Sequence, residues 1–362
     1  MITEKEFTND DVVLITGVSG RIGRNLVNQL GKNCTIVGFD LQKKQSISSH
    51  VDFVQCDLTS NDSVKQGLAH FREKYGDRIS SIVHLAGYYS FSGKPSDLYE
   101  ELTIRGTERL LKAAQDFETE QFIFISTMLV HEPTRPGVKI NEDSKVHAKW
   151  AYPESKVKAE AIMHNERKHV PIVIMRVAGC YDDECHSIPI SQQASRIFER
   201  SLEAHVFPGD ITHGASYLHL DDMSTAIIQT IKRRANLLKD FVVVIGEPVT
   251  FSFDQLQREF SKFLHGHEIT TYQIPQGPAE IVAWFENHIP FMEKPFIKPW
   301  MIPIADGHYE LDITRARKEI GWEPKKNVKD TIPVMLGLLR TDPKKWYEVQ
   351  DLKPPHWLEY AG

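Results

Sequence analysis

The segment Thr16-Gly-Val-Ser-Gly-Arg-Ile-Gly23 places Gly17, Gly20 and Gly23 between an apolar run, Val12-Val13-Leu14-Ile15, and a stretch with Ile22, Leu26, Val27 and Leu30 on one side. That order predicts a buried strand, a tight glycine turn and an amphipathic helix. Glycine is required where a backbone turns sharply and lets a pyrophosphate approach with no Cβ in the way. The helix that follows points its free N–H groups and the positive end of its dipole at such a group. Taken alone, three glycines also suit a strand-to-helix turn with no ligand.

The next element argues for the dinucleotide. Thr35-Ile-Val-Gly-Phe39 reads as a second strand, and Asp40 ends it, 23 positions after Gly17. A carboxylate at this distance accepts hydrogen bonds from ribose hydroxyls and repels a 2′-phosphate, which favours NAD over NADP. Lys43 and Lys44 follow closely and leave NADP as the less favoured alternative. Asp57, in Gln55-Cys-Asp-Leu58 after a third apolar strand, is placed either to contact the adenine side or to cap a turn.

The 362 residues can bury a large core, as one α/β domain or as a domain plus a lobe. There are 43 basic and 49 acidic residues, for a net charge of −6, and no basic tract or polybasic helix points to nucleic acid or a membrane surface. The first ten residues lack the apolar core of a signal peptide. No apolar run approaches the roughly 18–20 residues that cross a bilayer. Four cysteines do not make a disulfide framework in a chain this long. The expectation is a soluble, reduced, cytoplasmic protein.

Strand candidates at 12–15, 35–39, 51–55, 79–85, 121–126 and 170–176 alternate with longer helical patterns, as in βαβ units of a parallel sheet. Beyond about residue 180 the pattern loosens, which suggests a smaller substrate-facing lobe. Phe241-Val-Val-Val-Ile245 reads as one more buried strand, within that lobe. The tail from 341 to 362, with Trp346, Tyr347, Pro354, Pro355 and Trp357, either packs across the body or serves as a lid or subunit contact.

Tyr152-Pro-Glu-Ser-Lys156 opens another helical stretch. Positions i and i+4 share a helix face, so the lysine stands one turn from the tyrosine. Moving a phenol from its usual pKa of about 10 to near 7 requires roughly 4 kcal/mol, which a close ammonium and a nicotinamide cation together supply. Ser126-Thr127 ends the strand Phe122-Ile-Phe-Ile125, and a hydroxyl there faces the ligand crevice of an open parallel sheet.

With these residues in hand, the chain resembles an extended short-chain dehydrogenase/reductase of the NAD-dependent epimerase/dehydratase type. The likeness is carried by Thr16 to Gly23, Asp40, Asp57-Leu58, His84-Leu-Ala-Gly87, Gly106-Thr107, Ser126-Thr127, Tyr152 with Lys156, Arg176, His219-Leu-Asp-Asp222 and Ile320-Gly-Trp-Glu-Pro324. It implies a Rossmann-type doubly wound parallel sheet with a smaller C-terminal substrate lobe. The nucleotide domain would comprise residues 1–180, with 217–247 returning to it. The lobe would comprise 181–216 and 248–340, and 341–362 the tail. The resemblance also implies Tyr152 as general acid/base, Lys156 as its partner and Thr127 as third member of a triad. NAD would be held by Gly17, Ser19, Gly20, Arg21, Ile22, Gly23, Asp40, Asp57, Leu58, Leu85, Ala86 and Gly87 together with Tyr152 and Lys156. A homodimer is a further expectation from the family.

Departures from the family narrow the chemistry. Dehydratases and decarboxylases of nucleotide sugars place acids just after the catalytic hydroxyl; here Met128 and Leu129 stand there and move no protons. Nucleotide-sugar epimerases hold the diphosphate with arginines near Ala215-Ser216-Tyr217 and near Ile302, and neither place is basic here. Arg196, Arg200 or Lys298 could substitute. Thr103 replaces an asparagine that helps a water relay, and Gly179 replaces one after the Arg176 strand, reshaping the substrate pocket. Cys180-Tyr-Asp-Asp-Glu-Cys-His186 has a metal-like composition but not a standard ligand spacing, and reads as a polar substrate loop. No metal is assigned. His84 and His219 read as structural, and His131 as a possible border of the cleft.

The reading is an NAD-dependent oxidoreductase or epimerase acting at a secondary alcohol or ketone of a small polar, sugar-like substrate. A nucleotide-sugar epimerase that retains its NAD is the alternative, as is a non-catalytic NAD-binding regulator.

Overall fold

Val12–Thr16 forms β1 and is buried along its whole length, which is why its sequence is continuously apolar instead of alternating. The computed structural model describes residues 6–8, 10–44, 46–90, 95–275, 277, 301 and 305–359. After β1 come α1 (Arg21–Leu30), β2 (Thr35–Asp40), β3 (Val51–Gln55), α2 (Asn61–Tyr75), β4 (Ser81–His84), α3 (Arg105–Ala114), β5 (Phe122–Thr127), α4 (Ala151–Glu166) and β6 (Ile172–Val177). The short β7 (Gly179–Tyr181) precedes α5 (Ile188–Phe198). Then follow β8 (Tyr217–His219), α6 (Leu220–Lys232), β9 (Asp240–Ile245), α7 (Phe253–His265) and, late in the chain, α8 (Val328–Met335).

Seven strands make one parallel sheet in the order β9-β6-β5-β4-β1-β2-β3. The winding reverses between β1 and β4, and the crevice outside the carboxyl ends of the strands at such a reversal is where an open sheet binds ligands. Apolar residues of α1 and α6 pack on one face of the sheet. Those of α2, α3 and α4 pack on the other. This is the doubly wound architecture that the strand–helix alternation predicts.

Two expectations change in detail. The strand expected over 79–85 is interrupted at Ser80, whose hydroxyl accepts from Val12 N (3.2 Å) and donates to Asp11 Oδ1 (3.0 Å). Arg78–Ile79 therefore pairs with Glu118–Thr119 while β4 enters the sheet. For 241–245 composition suggests the lobe and the family resemblance the nucleotide domain; β9 pairs in parallel with β6 at the edge of the main sheet. Its valines fill the same core as β1, a placement that local composition does not encode.

A third core lies away from the sheet. Tyr181, Ile190, Ala194, Leu256, Phe260, Val328, Ile332, Trp346 and Tyr347 form it. The tail enters through Trp346 and Tyr347, 0% and 1% exposed, and the Tyr347 hydroxyl donates to Glu199 Oε1 (2.5 Å). Of the two options for this tail, its described part packs on the body. Among the described residues, no helix is long and apolar enough to cross a membrane.

Candidate active site

The turn after β1 has little room for side chains. Gly17 has φ +70°, and a Cβ there would meet Ala86 N at 3.0 Å. At Gly23 a Cβ would lie 2.5 Å from the Gly17 carbonyl oxygen and 2.7 Å from Val18 Cα. Gly20 is the N-cap of α1, which has no side-chain cap and no acid in its first turn. The N–H groups of Arg21, Ile22 and Gly23 thus begin a helix without an intrahelical acceptor. Ile22 packs against the core beside them. This cradle fits a pyrophosphate.

Asp40 ends β2 beside that turn. Its Oδ2 accepts from Ser19 N (2.9 Å) and its Oδ1 from Leu41 N (2.7 Å), while Ser19 Oγ donates to the Gln42 carbonyl (2.6 Å). Each carboxylate oxygen keeps a lone pair for a ribose hydroxyl. Asp57 caps the next turn with one oxygen: its Oδ1 accepts from Thr59 N and Thr59 Oγ1, both at 2.8 Å. The turn role is the one the structure displays. Leu58 is buried behind it and its carbonyl accepts from Arg109 (2.6 Å).

The turn Leu85-Ala86-Gly87 is held by a directed chain of hydrogen bonds. Ala86 N donates to Thr16 Oγ1 (3.3 Å), and Thr16 donates to His84 Nδ1 (2.7 Å). His84 Nε2 donates to Thr107 Oγ1 (3.0 Å), and Thr107 donates to the Thr103 carbonyl (2.6 Å). Because Thr107 gives its proton to a carbonyl, it accepts from His84, which fixes the tautomer. Burial pushes His84 down to about 3, so it is neutral. Thr103 Oγ1 accepts from Tyr88 N (3.0 Å), the backbone just beyond Gly87.

Tyr152, Lys156 and Glu160 occupy successive turns of α4 and share a face. Lys156 Nζ donates to the Ile125 carbonyl (2.8 Å) and lies where a Cβ on Gly87 would stand 3.2 Å away. Thr127, at the end of β5, is buried, its hydroxyl accepts from Leu129 N (3.3 Å), and it lies close enough to the Tyr152 phenol to favour the phenolate. The fold therefore brings Thr127, Tyr152, Lys156 and the Gly87 turn to one place. Ser126 points the other way, as its strand position requires, and donates to Glu160 Oε1 (2.5 Å).

The electrostatics depart from the sequence expectation. Burial pushes the Tyr152 phenol up, the nearby Cys180 adds to this, and the Thr127 hydroxyl opposes it. Lys156 is driven down to about 8 by burial, with Glu160 opposing. Its ammonium is turned to the Ile125 carbonyl, so the protein alone does not acidify the phenol.

Several side chains around Tyr152 were not legible as a set. The Tyr89 ring packs edge-on against Tyr152 with centroids 4.7 Å apart, and Trp150 lies at 5.5 Å. Gly179 pairs with Tyr217, whose ring lies 3.6 Å from where a Gly179 Cβ would be. Glu160 was missed as well, although its i+4 spacing from Lys156 signals a shared face. It holds Arg176 in a buried pair (Nη2 to Oε2, 2.7 Å). His131 does not border the cleft: it is fully buried, accepts from Arg176 Nη1 (3.3 Å), and burial lowers it to about 4.

Met128 is buried after Thr127, and Leu129 packs against the core. Arg196 lies among Glu203 and Glu199, with burial lowering its pKa. Arg200 is exposed beyond the C-terminal end of α5, roughly 16 Å along the helix from its start. Ile302 and Lys298 lie outside the described residues.

In the Cys180–His186 segment, Cys180 Sγ lies 3.4 Å from Met223 Sδ, Cys185 is buried, and His186 pairs with Asp182. Asp183, His219 and Asp221 bring three ligand atoms together. Lys326 Nζ lies among them, 3.1 Å from Asp183 and 3.0 Å from Asp221, so an ammonium takes the cationic place. His219 caps α6 by accepting from Asp221 N (3.1 Å).

Comparison with known proteins bears on the whole arrangement. Residues 13–246 match the family described as NAD dependent epimerase/dehydratase. The chain is 28% identical to the decarboxylating sterol-4-alpha-carboxylate 3-dehydrogenase of Candida albicans, over 91% of this chain and 98% of that protein. It is 23% identical to the UDP-glucose 4-epimerase of Vibrio cholerae, over 88% and 92%. The fold resembles that of the Thermus thermophilus UDP-glucose 4-epimerase in complex with NAD, with a TM-score of 0.67 and 18% identity, covering 91% of this chain and 99% of that one. The chain belongs to the NAD dependent epimerase/dehydratase family, as an NAD-dependent enzyme of the extended short-chain dehydrogenase/reductase type.

Proposed function

We propose that the protein catalyses a net, NAD-dependent oxidation of a secondary alcohol, or the reverse reduction, on a small polar, sugar-like ring compound. The observation that carries this is the meeting of Thr127, Tyr152 and Lys156 at the Gly87 turn, on the switch side of an NAD-type sheet. Bound NAD supplies a hydride acceptor at the carbinol carbon. Thr127 orients the substrate oxygen. Tyr152 takes the hydroxyl proton during oxidation and returns it during reduction. Lys156 braces the Gly87 turn, and its charge favours the phenolate together with that of the bound nicotinamide. Asp40 and the glycine turn hold the dinucleotide. Residues 181–216 and the described part of 248–340 form the substrate side, and the rings of Tyr89, Trp150 and Tyr217 offer faces for a ring's C–H groups.

A nucleotide-sugar substrate is disfavoured because no guanidinium stands at Ala215-Ser216-Tyr217, where a diphosphate would need one, which leaves net oxidation or epimerisation of a non-nucleotide sugar. The relative from Candida albicans is named as a dehydrogenase. That likeness, with the aromatic wall, favours a second reading in which the ring is an apolar alicyclic carbinol. The test is a panel of sugars, sugar acids, hydroxy-ketones and sterols mixed with NAD while NADH absorbance is followed. Stoichiometric NADH with a secondary alcohol supports the proposal, and the responding class separates the two readings. Isomer interconversion without NADH release would overturn net oxidation. Full turnover by Tyr152→Phe would overturn the triad.

A further inference from the structure

Arg21 is the first residue of α1 after the Gly20 cap. Its Nε stands 3.8 Å from Asp182 Oδ2, and its Nη1 donates to the His186 carbonyl at 3.4 Å. Both partners come from the loop that joins β7 to α5, on the far side of the crevice in sequence. This loop is built to stay in place. Asp182 Oδ1 accepts from Glu184 N (3.1 Å) and His186 N (2.9 Å), and Oδ2 meets His186 Nδ1 at 2.8 Å. Cys185 adopts φ +67° and is fully buried in the third core. The same loop begins one residue after β7, whose Gly179 and Cys180 lie near Tyr217 and Tyr152.

We propose that Asp182 is a positioning residue for the dinucleotide. Together with the His186 carbonyl it holds the Arg21 guanidinium at the uncapped first turn of α1, leaving Nη2 to receive a pyrophosphate oxygen. The loop that carries the substrate-side strand then forms part of the phosphate site, and the two halves of the molecule meet on one side chain. Among the described residues Arg21 Nη2 has no hydrogen-bond partner. The positive end of the α1 dipole disfavours a guanidinium by itself, and the Asp182 carboxylate offsets that cost while Nη2 stays open to an anionic oxygen. At 3.8 Å, with Arg21 half exposed and Asp182 mostly covered, the pair itself adds little to folding stability.

The inference rests on the reading of the glycine turn as the NAD site, and its test uses no substrate, so its failure is distinguishable from failure of the proposed reaction. NAD and ADP-ribose affinities are measured by calorimetry on the full chain and on Arg21→Ala, Asp182→Asn and the double variant. Arg21→Ala is expected to weaken binding about tenfold, the scale of one charge-assisted hydrogen bond. Asp182→Asn is expected to weaken it roughly three- to tenfold, Asp182→Glu less, and the double variant no more than Arg21→Ala alone. Binding by Asp182→Asn at or above the wild-type affinity would overturn the proposal. So would an equal loss from Asp182→Asn in the Arg21→Ala background, because that outcome marks a disturbed loop and not a held guanidinium.

Discussion

Glu160 Oε2 receives Arg176 Nη2 at 2.7 Å, one turn of α4 beyond Lys156, with both side chains almost fully buried. The remaining oxygen takes the Ser126 hydroxyl, and Arg176 Nη1 donates to the Glu142 carbonyl (3.0 Å). The pair therefore joins α4 to β5 and β6 beneath the reacting groups. Removing one partner leaves a buried charge. Glu160→Ala or Arg176→Ala should each cost on the order of 3–5 kcal/mol in denaturant unfolding, whereas Glu160→Met with Arg176→Met together should cost much less. Equal losses from the single and double variants would contradict this.

Tyr152→Phe removes the hydroxyl and keeps the ring that packs against Tyr89 and Trp150. Turnover should fall by a factor of roughly a thousand or more, with NAD affinity within about twofold of wild type. Steady-state rates with calorimetric binding check both halves.

Lys156 is buried and pushed down to about 8. Its unfolded value is near 10.4. Below pH 8 both states are protonated and the folded state bears the full cost of burying an ammonium, on the order of 3 kcal/mol at most. Between about pH 8 and 10.4 the unfolded chain binds more protons, so this cost disappears as pH rises. Lys156→Met should therefore raise the melting temperature at pH 7, lose that advantage near pH 10.5, and abolish turnover. Thermal melts across this range test the sign.

Glu247 is buried and burial raises its carboxyl to about 7, although the Val328 N–H and the Tyr181 hydroxyl oppose the rise. Tyr181 donates to Oε1 (2.9 Å) and Val328 N to Oε2 (3.0 Å), so this carboxyl ties β7 to α8. Its folded pKa lies above the unfolded value of about 4.3. The folded state thus holds the proton more tightly, and stability from this group is full below pH 4.3 and lost as pH rises through 7. Glu247→Gln should flatten this part of the stability profile between pH 4.3 and 7, as denaturant midpoints at several pH values would show. An unchanged slope would count against it.

Gly23→Ala places a methyl 2.5 Å from the Gly17 carbonyl oxygen. Backbone on both sides has to shift, so α1 moves off β1. NAD affinity should drop by more than tenfold, read by the same calorimetry.

The dinucleotide half of the site is local in sequence. Gly17, Gly20 and Gly23 lie within one turn, Asp40 ends the next strand, and Tyr152 and Lys156 are one helical turn apart; all of these are short-range patterns that backbone sterics and helical period make readable. Glu160 continues the same period and was recoverable from it. The aromatic wall, the buried role of His131 and the docking of Arg21 onto Asp182 were not, because each joins segments separated by tens to more than a hundred residues. The contribution of Lys156 to the Tyr152 phenol is not legible for a related reason. Spacing locates an ammonium one turn away, but only packing decides whether its charge faces the phenol or the Ile125 carbonyl.

The strand–helix alternation, the glycine turn and the groups able to carry a hydride-transfer site are written into short stretches of chain, since these follow from local period and backbone geometry. Long-range packing sets where β9 enters the sheet, which strand-end hydroxyl lies by the tyrosine, and how a loop from the second half of the chain reaches the first turn of α1. Those outcomes depend on which distant surfaces bury one another, and desolvation there, more than charge proximity along the chain, governs the protonation of Tyr152 and Lys156.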